Sequence, residues 1–186
     1  MSFVLTTGTA PLLVSMPHIG TDIPAPLQAA FAPRALKLQD TDWHLERLYA
    51  FLPALGASVL QPRLSRYVID LNRPPDDAPM YPGAANTELC PTRFFNGEPL
   101  YRESAAPDAQ ERGRRLAQYW QPYHQALAGG APERNVHAVQ LEMVQKLYMQ
   151  EEAPFAYDPA RAAAIQPVLR DMVIAALDAA RALHGR

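Results

Sequence analysis

The sequence predicts a single α/β domain over residues 1–186, and three observations carry that expectation. Short β-rich apolar runs alternate along the chain with stretches of helical spacing, about four of each, interleaved rather than segregated. With 186 residues, 48% of them hydrophobic, the chain can bury one real core but would be cramped as two full domains. Its 19 prolines bunch at 11–33, 74–107 and 132–167, and because proline fixes the backbone and ends helices, these clusters predict long ordered loops between the elements.

Taken in order, "PLLVSM" reads as a short buried strand that feeds a polar loop, with His18 just past its end. Ligand sites of open α/β sheets gather outside the carboxyl ends of strands, so that position is suggestive. "DTDWHLERLYAFLPAL" places Trp43, Leu45, Leu48, Phe51 and Leu52 at helical spacing; Asp40, Thr41 and Asp42 can cap it, which predicts a helix over 42–52. On such a helix Asp42 and Glu46, four apart, share one face near its start.

"ASVLQP" and "RYVIDL" read as two strands, the second followed by Asn72, Arg73 and a Pro-Pro pair that must leave the sheet. From there to about residue 102 the chain is punctuated by proline and glycine and wraps the surface. Helical spacing returns over 107–128, weakened at Gly113 and Pro122. "VHAVQLEM" alternates like a strand and ends at Glu142. The last third is an amphipathic helix with Asp158 as cap and Pro159 in its first turn.

The charge balance, 17 basic against 19 acidic residues for a net −2, offers no electrostatic footprint for nucleic acid or an anionic membrane. No apolar run approaches the about 18 residues that span a bilayer, and the N-terminus lacks the basic flank of a signal peptide, so a cytoplasmic protein with a small-molecule or protein partner is expected. Cys90 is the single cysteine and nothing beside it marks an activated thiol.

Histidine, carboxylates and arginine at strand ends make a sensible inventory for metal-assisted hydrolysis. His18 with Asp42 or Glu46 can supply two zinc ligands and Glu142 a base, while Arg73, backed by Asn72, can grip a substrate carboxylate through a bidentate fork. Each residue also has a bland reading. His18 can simply fix a loop, Asp42 and Glu46 can favour a helix N-terminus, and Arg73 can pair with Asp70, Asp76 or Asp77. Glu142 can meet Lys146 or water; His44, His124 and His184 read as solvated, and His137 is ambiguous.

Six blocks in order, "SMPHIGTDIP", "DTDWHLERLY", "SRYVIDLNRPPDDAPMYPG", "LCPTRFFNGEPLYR", "YWQPYHQAL" and "HAVQLEMVQKLYMQEEAPFAYD", closely resemble the N-formylglutamate deformylases (N-formylglutamate amidohydrolases) of bacterial histidine degradation. The resemblance covers nearly the whole chain and includes long loops that packing alone would not dictate. It implies a mixed sheet flanked by helices, similar to the zinc carboxypeptidases (phosphorylase/hydrolase-like), and hydrolysis of N-formyl-L-glutamate to formate and L-glutamate. It implies His18 as the first zinc ligand and Asp42 or Glu46 as the carboxylate ligand, Asp42 being favoured. Asn72 and Arg73 resemble a pair that holds the substrate carboxylate, with Arg63 or Arg66 adding to the clamp. Glu142 resembles the glutamate that deprotonates zinc-bound water.

One departure stands out near 128–132, where only "GGA" joins flanks that in the family are separated by a further segment, at least about the 30 residues of a βαβ unit. That segment would carry the second histidine ligand and a central strand. Two protein ligands hold zinc more weakly than three. His137, five residues before Glu142, would point to the opposite face of a strand, and His44 would leave the helix on a different face from Asp42, so neither is a natural substitute. The leading expectation is therefore a deformylase-family hydrolase. Its rival is an impaired, internally deleted member that binds a small dicarboxylate or a protein partner through Asn72 and Arg73 without metal. The third is an unrelated α/β interaction domain.

Overall fold

The computed structural model describes residues 1–79, 87–129 and 139–184. Among them, three strands, β1 (Phe3–Thr6), β2 (Leu13–Ser15) and β3 (Ser58–Pro62), form one mixed sheet in the order β1-β3-β2. β2 runs parallel to β3 with Val14 opposite Val59. The helices are α1 (Ala25–Gln28), α2 (Leu45–Leu48), α3 (Ala109–Arg115), α4 (Gln121–Gly129) and α5 (Pro159–His184). The expected α/β class holds, as do the "PLLVSM" and "ASVLQP" strands and the C-terminal helix. No helix among the described residues is long and apolar enough to cross a membrane.

Chain contacts gather into two compact units, one from Met1–Val4, Met16–Thr41 and Gln61–Ala126, the other from Leu5–Ser15, Asp42–Leu60 and Leu127–Arg186. In the first, Phe31, Ala35, Tyr67, Phe94, Leu100 and Tyr101 form the core, with Phe31 stacked on Tyr101. Gly20 has no room for a side chain, because a Cβ there would lie 2.1 Å from the Leu64 carbonyl oxygen. In the second unit Leu48, Tyr148, Met149, Ala162 and Leu169 pack together. Asp158 caps α5 as expected, its Oδ1 accepting from the amides of Ala160 and Arg161 at 3.0 Å. That helix continues through Pro167.

Several expectations need correction. The helix predicted over 42–52 shrinks to the single turn of α2, because His44 precedes it in a left-handed conformation (φ 63°) and starts the helix without a side-chain cap. Asp42 therefore lies outside the helix and does not share a helical face with Glu46. His44 is half-buried rather than solvated, and its Nε2 donates to the Phe155 carbonyl at 2.8 Å.

"RYVIDL" is not a strand. Ser65 draws the chain into a turn, its carbonyl accepting from the Val68 amide and its hydroxyl from the Tyr67 amide. These local bonds compete with a sheet ladder. No residue from Leu64 to Leu71 is more than 9% exposed, so burial, not pairing, accounts for the apolar run. β1 was absent from the expected strands.

"VHAVQLEM" also fails as a strand over its described part. Residues 139–144 are irregular, with Val139 82% and Leu141 43% exposed, so of the alternating apolar residues described only Met143 packs against the core of the second unit. Val136, His137 and Ala138 lie outside the described residues.

The helix expected over 107–128 is present with a modification. α3 and α4 are joined without a break by a π turn, Leu116–Trp120, in which the Gln121 amide bonds back five residues to the Leu116 carbonyl. Gly113 is passed in regular helix. Pro122 explains the π turn: it has no N–H, and its ring would strike the carbonyl four residues earlier, so a wider turn just before it relieves both problems.

Candidate functional site

The chemistry-bearing residues of the first unit converge on Asp70, which has no exposed surface. The turn after Ser65 brings Arg66 and Asp70 onto the same side, and Arg66 Nη2 donates to Asp70 Oδ2 at 2.7 Å. His18, just beyond β2, donates from Nε2 to Asp70 Oδ1 at 2.8 Å; because a carboxylate only accepts, this bond places the imidazole proton on Nε2. The Asn72 amide donates to the same Oδ1 at 2.9 Å, a tight turn closed by the aspartate's own side chain.

Burial alone would raise the Asp70 carboxyl. The hydrogen bond and charge of His18, the Arg66 guanidinium and the Asn72 amide outweigh it and hold the group well below the usual carboxylate range. Asp70 is therefore an ionised, fully buried anion that fixes two cationic or potentially cationic side chains and the start of the Asn72–Arg73 segment. Arg66 also lies over the Phe95 ring, 4.6 Å from its centroid. Arg73 follows, its amide donating to the Asp70 carbonyl at 3.2 Å and its Nη2 to the Thr87 hydroxyl at 3.1 Å.

A row of donors from the helical segment backs this turn. Arg115, 1% exposed, gives Nη1 to the Val68 carbonyl at 3.0 Å and to the Tyr101 hydroxyl at 2.9 Å, while Glu111 holds its Nε at 2.7 Å. Trp120 Nε1 donates to the Arg73 carbonyl at 2.9 Å, and His124 Nε2 to the Leu71 carbonyl at 3.0 Å. His124 is thus half-buried and engaged, not solvated, and burial lowers its pKa. Cys90 is buried with its thiol pushed up to about 11, which fits an inert thiol.

The second unit holds the other expected site residues. Asp42 accepts from Gln145 Nε2 at 3.4 Å, and Glu46 is exposed on α2. Glu142 is exposed on the irregular stretch, where Gln140 Nε2 donates to it at 2.5 Å, rather than standing at the end of a buried strand. Of the expected site residues, the structure thus sets the His18 and Arg66 side chains and the Asn72 amide on one anion, with Arg73 next in the chain, tied through its amide to the Asp70 carbonyl and through its guanidinium to Thr87. Asp70 itself, the centre, is in the sequence only one of three carboxylates within reach of Arg73. The signal for it was an aspartate inside the apolar run "YVIDL", where a charge stays only if it is paired.

Residues 10–131 match the family model described as N-formylglutamate amidohydrolase. The chain belongs to that family. An N-formylglutamate deformylase from Pseudomonas aeruginosa is 35% identical to it over 246 residues, an alignment that takes in 89% of this chain and 92% of the relative. The corresponding protein of Pseudomonas putida is 33% identical over 250 residues, with 91% and 93% covered. Among solved structures, the N-formylglutamate amidohydrolase from Ralstonia eutropha matches with a TM-score of 0.57 at 28% identity. That match covers 69% of this chain and 51% of the other, so the chain spans about half the length of the solved family member. The amidohydrolase family match takes in His18, Asp42, Glu46, Arg66, Asn72 and Arg73, whereas Glu142 lies beyond its last residue.

Proposed function

We propose that this chain hydrolyses N-formyl-L-glutamate, adding water across the formyl C–N bond to release formate and L-glutamate, as a cytoplasmic step of histidine degradation. The observation that supports it best is the buried Asp70 anion, which organises His18, Arg66 and the Asn72–Arg73 segment in a chain of the amidohydrolase family. In this reading the Arg73 guanidinium, with Asn72 beside it, holds a substrate carboxylate, for which a planar two-pronged donor is the natural partner. Arg66 keeps Asp70 ionised and adds positive charge to the same segment. Glu142 takes a proton from the attacking water and returns it to the departing amine.

A fold akin to the zinc carboxypeptidases, lacking one central strand unit, belongs to the same reading. Its support is that the alignment to the Pseudomonas aeruginosa relative runs over 246 residues, more than the 186 of this chain, so a sizeable stretch of the relative has no counterpart here. Zinc enters as a dependence to be measured, with His18 and Asp42 or Glu46 as the expected ligands. Among the described residues no three of His, Cys, Asp and Glu are grouped as a metal ion requires. Those donors alone do not complete a zinc site, and the roles given above are those of the protein's own groups.

The test is formate release from N-formyl-L-glutamate by the purified chain, with added zinc and after chelation, beside Arg73→Ala and Glu142→Ala. Turnover lost on chelation and restored by zinc would add the metal to this reading, whereas turnover unaffected by chelation would remove it. Arg73→Ala should raise KM by about 10- to 100-fold, the loss of a charge-assisted carboxylate contact. Glu142→Ala should lower kcat by at least about 100-fold, the usual worth of a general base. Equal turnover in Glu142→Ala would remove that residue from the reaction, and an unchanged KM in Arg73→Ala would remove the clamp.

A further inference from the structure

The π turn between α3 and α4 does something that a regular helix could not. On an α-helix, side chains four apart share a face, whereas Arg115 and Trp120 are five apart and Trp120 and His124 four apart. The π turn Leu116–Trp120 takes up the extra residue, and all three side chains then reach carbonyl oxygens of one short segment, those of Val68, Leu71 and Arg73. The segment needs such donors. It is neither helix nor strand, so its carbonyls have no ladder partners, and buried carbonyls without donors are costly.

The bonds bracket the functional residues closely. Leu71 and Arg73 flank Asn72, and Asp70 lies two residues after Val68. The Trp120 and His124 rings stack at 3.7 Å with an interplanar angle of 18°, so each holds the other's donor in place. We infer that Arg115, Trp120 and His124, aligned by the π turn, are positioning residues that fix the Asp70–Arg73 backbone so that Asn72 and Arg73 meet a substrate carboxylate in one preset geometry. This rests on the carboxylate clamp proposed above. The three side chains act through the backbone that carries Arg73 and touch no reacting atom.

The experiment uses the full chain with Trp120→Phe, which keeps a ring for His124 to stack on and deletes only the N–H, together with His124→Leu, Arg73→Ala and the double Trp120→Phe/Arg73→Ala. Two quantities are read: amide hydrogen exchange over residues 66–73, which needs no turnover, and KM with kcat for N-formyl-L-glutamate. Expected are exchange about tenfold faster over 70–73 in Trp120→Phe and His124→Leu, with α5 unchanged, and a KM about tenfold higher with kcat altered much less. On the Arg73→Ala background Trp120→Phe should add almost nothing, since it acts through that residue.

Unchanged exchange over 70–73, a rise of the same size throughout α5, or a KM penalty that adds in full to that of Arg73→Ala would each overturn the positioning role. If Arg73→Ala leaves KM unaltered while Trp120→Phe still loosens 70–73, the carboxylate clamp is what fails, and the purpose assigned to the row of donors is overturned with it.

Discussion

A single carboxylate carries most of the organisation in the first unit, and its removal should show this at the scale of one residue. Asp70 is fully buried and accepts from His18, Arg66 and the Asn72 amide. Taking away one partner of a buried pair leaves the other charge uncompensated, which costs far more than the pair itself is worth. Asp70→Asn keeps the size and one acceptor oxygen but leaves Arg66, 7% exposed, without its anion. The expected loss is about 3–5 kcal/mol of unfolding free energy, read from urea midpoints at constant slope. A loss below about 1 kcal/mol, the range of an exposed ion pair, would mean that water reaches Arg66 and that the cluster is not dry.

At the scale of elements, α5 is the piece whose start is specified locally, because Asp158 satisfies two first-turn amides at once. Asp158→Ala should therefore cost about 1 kcal/mol, measured by thermal or urea unfolding, and Asp158→Ser should recover most of it. This helix was legible in the sequence for the same reason: a cap, a first-turn proline and apolar spacing are local signals that agree with one another. "PLLVSM" and "ASVLQP" were legible because each is a short apolar run bounded by breakers. "RYVIDL" misled because a segment buried on every side and a strand buried on both faces present the same apolar run. Only the bonds that Ser65 and Asp70 make to nearby amides tell them apart. Of the site, His18, Arg66, Asn72 and Arg73 were readable as residues of the right chemistry. The part played by Asp70 was not, since a buried anion is recognised by its partners, and those lie 4 residues away for Arg66 and 52 for His18. The donor row was hidden too, because a π turn shifts the register by one residue and helical spacing then points to the wrong neighbours.

At the scale of the whole molecule, the same anion makes stability depend on pH in a defined direction. Asp70 is held well below its ordinary range, as is Glu111, where the hydrogen bond from Arg114 leads and the carboxyl sits at about 2. In the unfolded chain both carboxyls return to about 4. A group depressed in the folded state contributes stability that is complete above the unfolded value and drains away as pH falls through the folded one, because below pH 4 the unfolded chain binds protons that the native state refuses. Glu111, partly open to water, should contribute modestly and be spent by about pH 2. Asp70 continues to lose below that. As pH falls from 4 to 2 the native chain should accordingly lose stability on account of Asp70 alone at a slope that steepens toward about 1.4 kcal/mol per pH unit, the limit of one proton. Asp70→Asn, already weaker at pH 7, should show a slope shallower by that amount, since the group responsible is gone. Urea unfolding at pH 7, 4 and 3 measures both slopes. Parallel curves for the two proteins would mean that acid acts elsewhere and that Asp70 is not the anion on which the first unit is built.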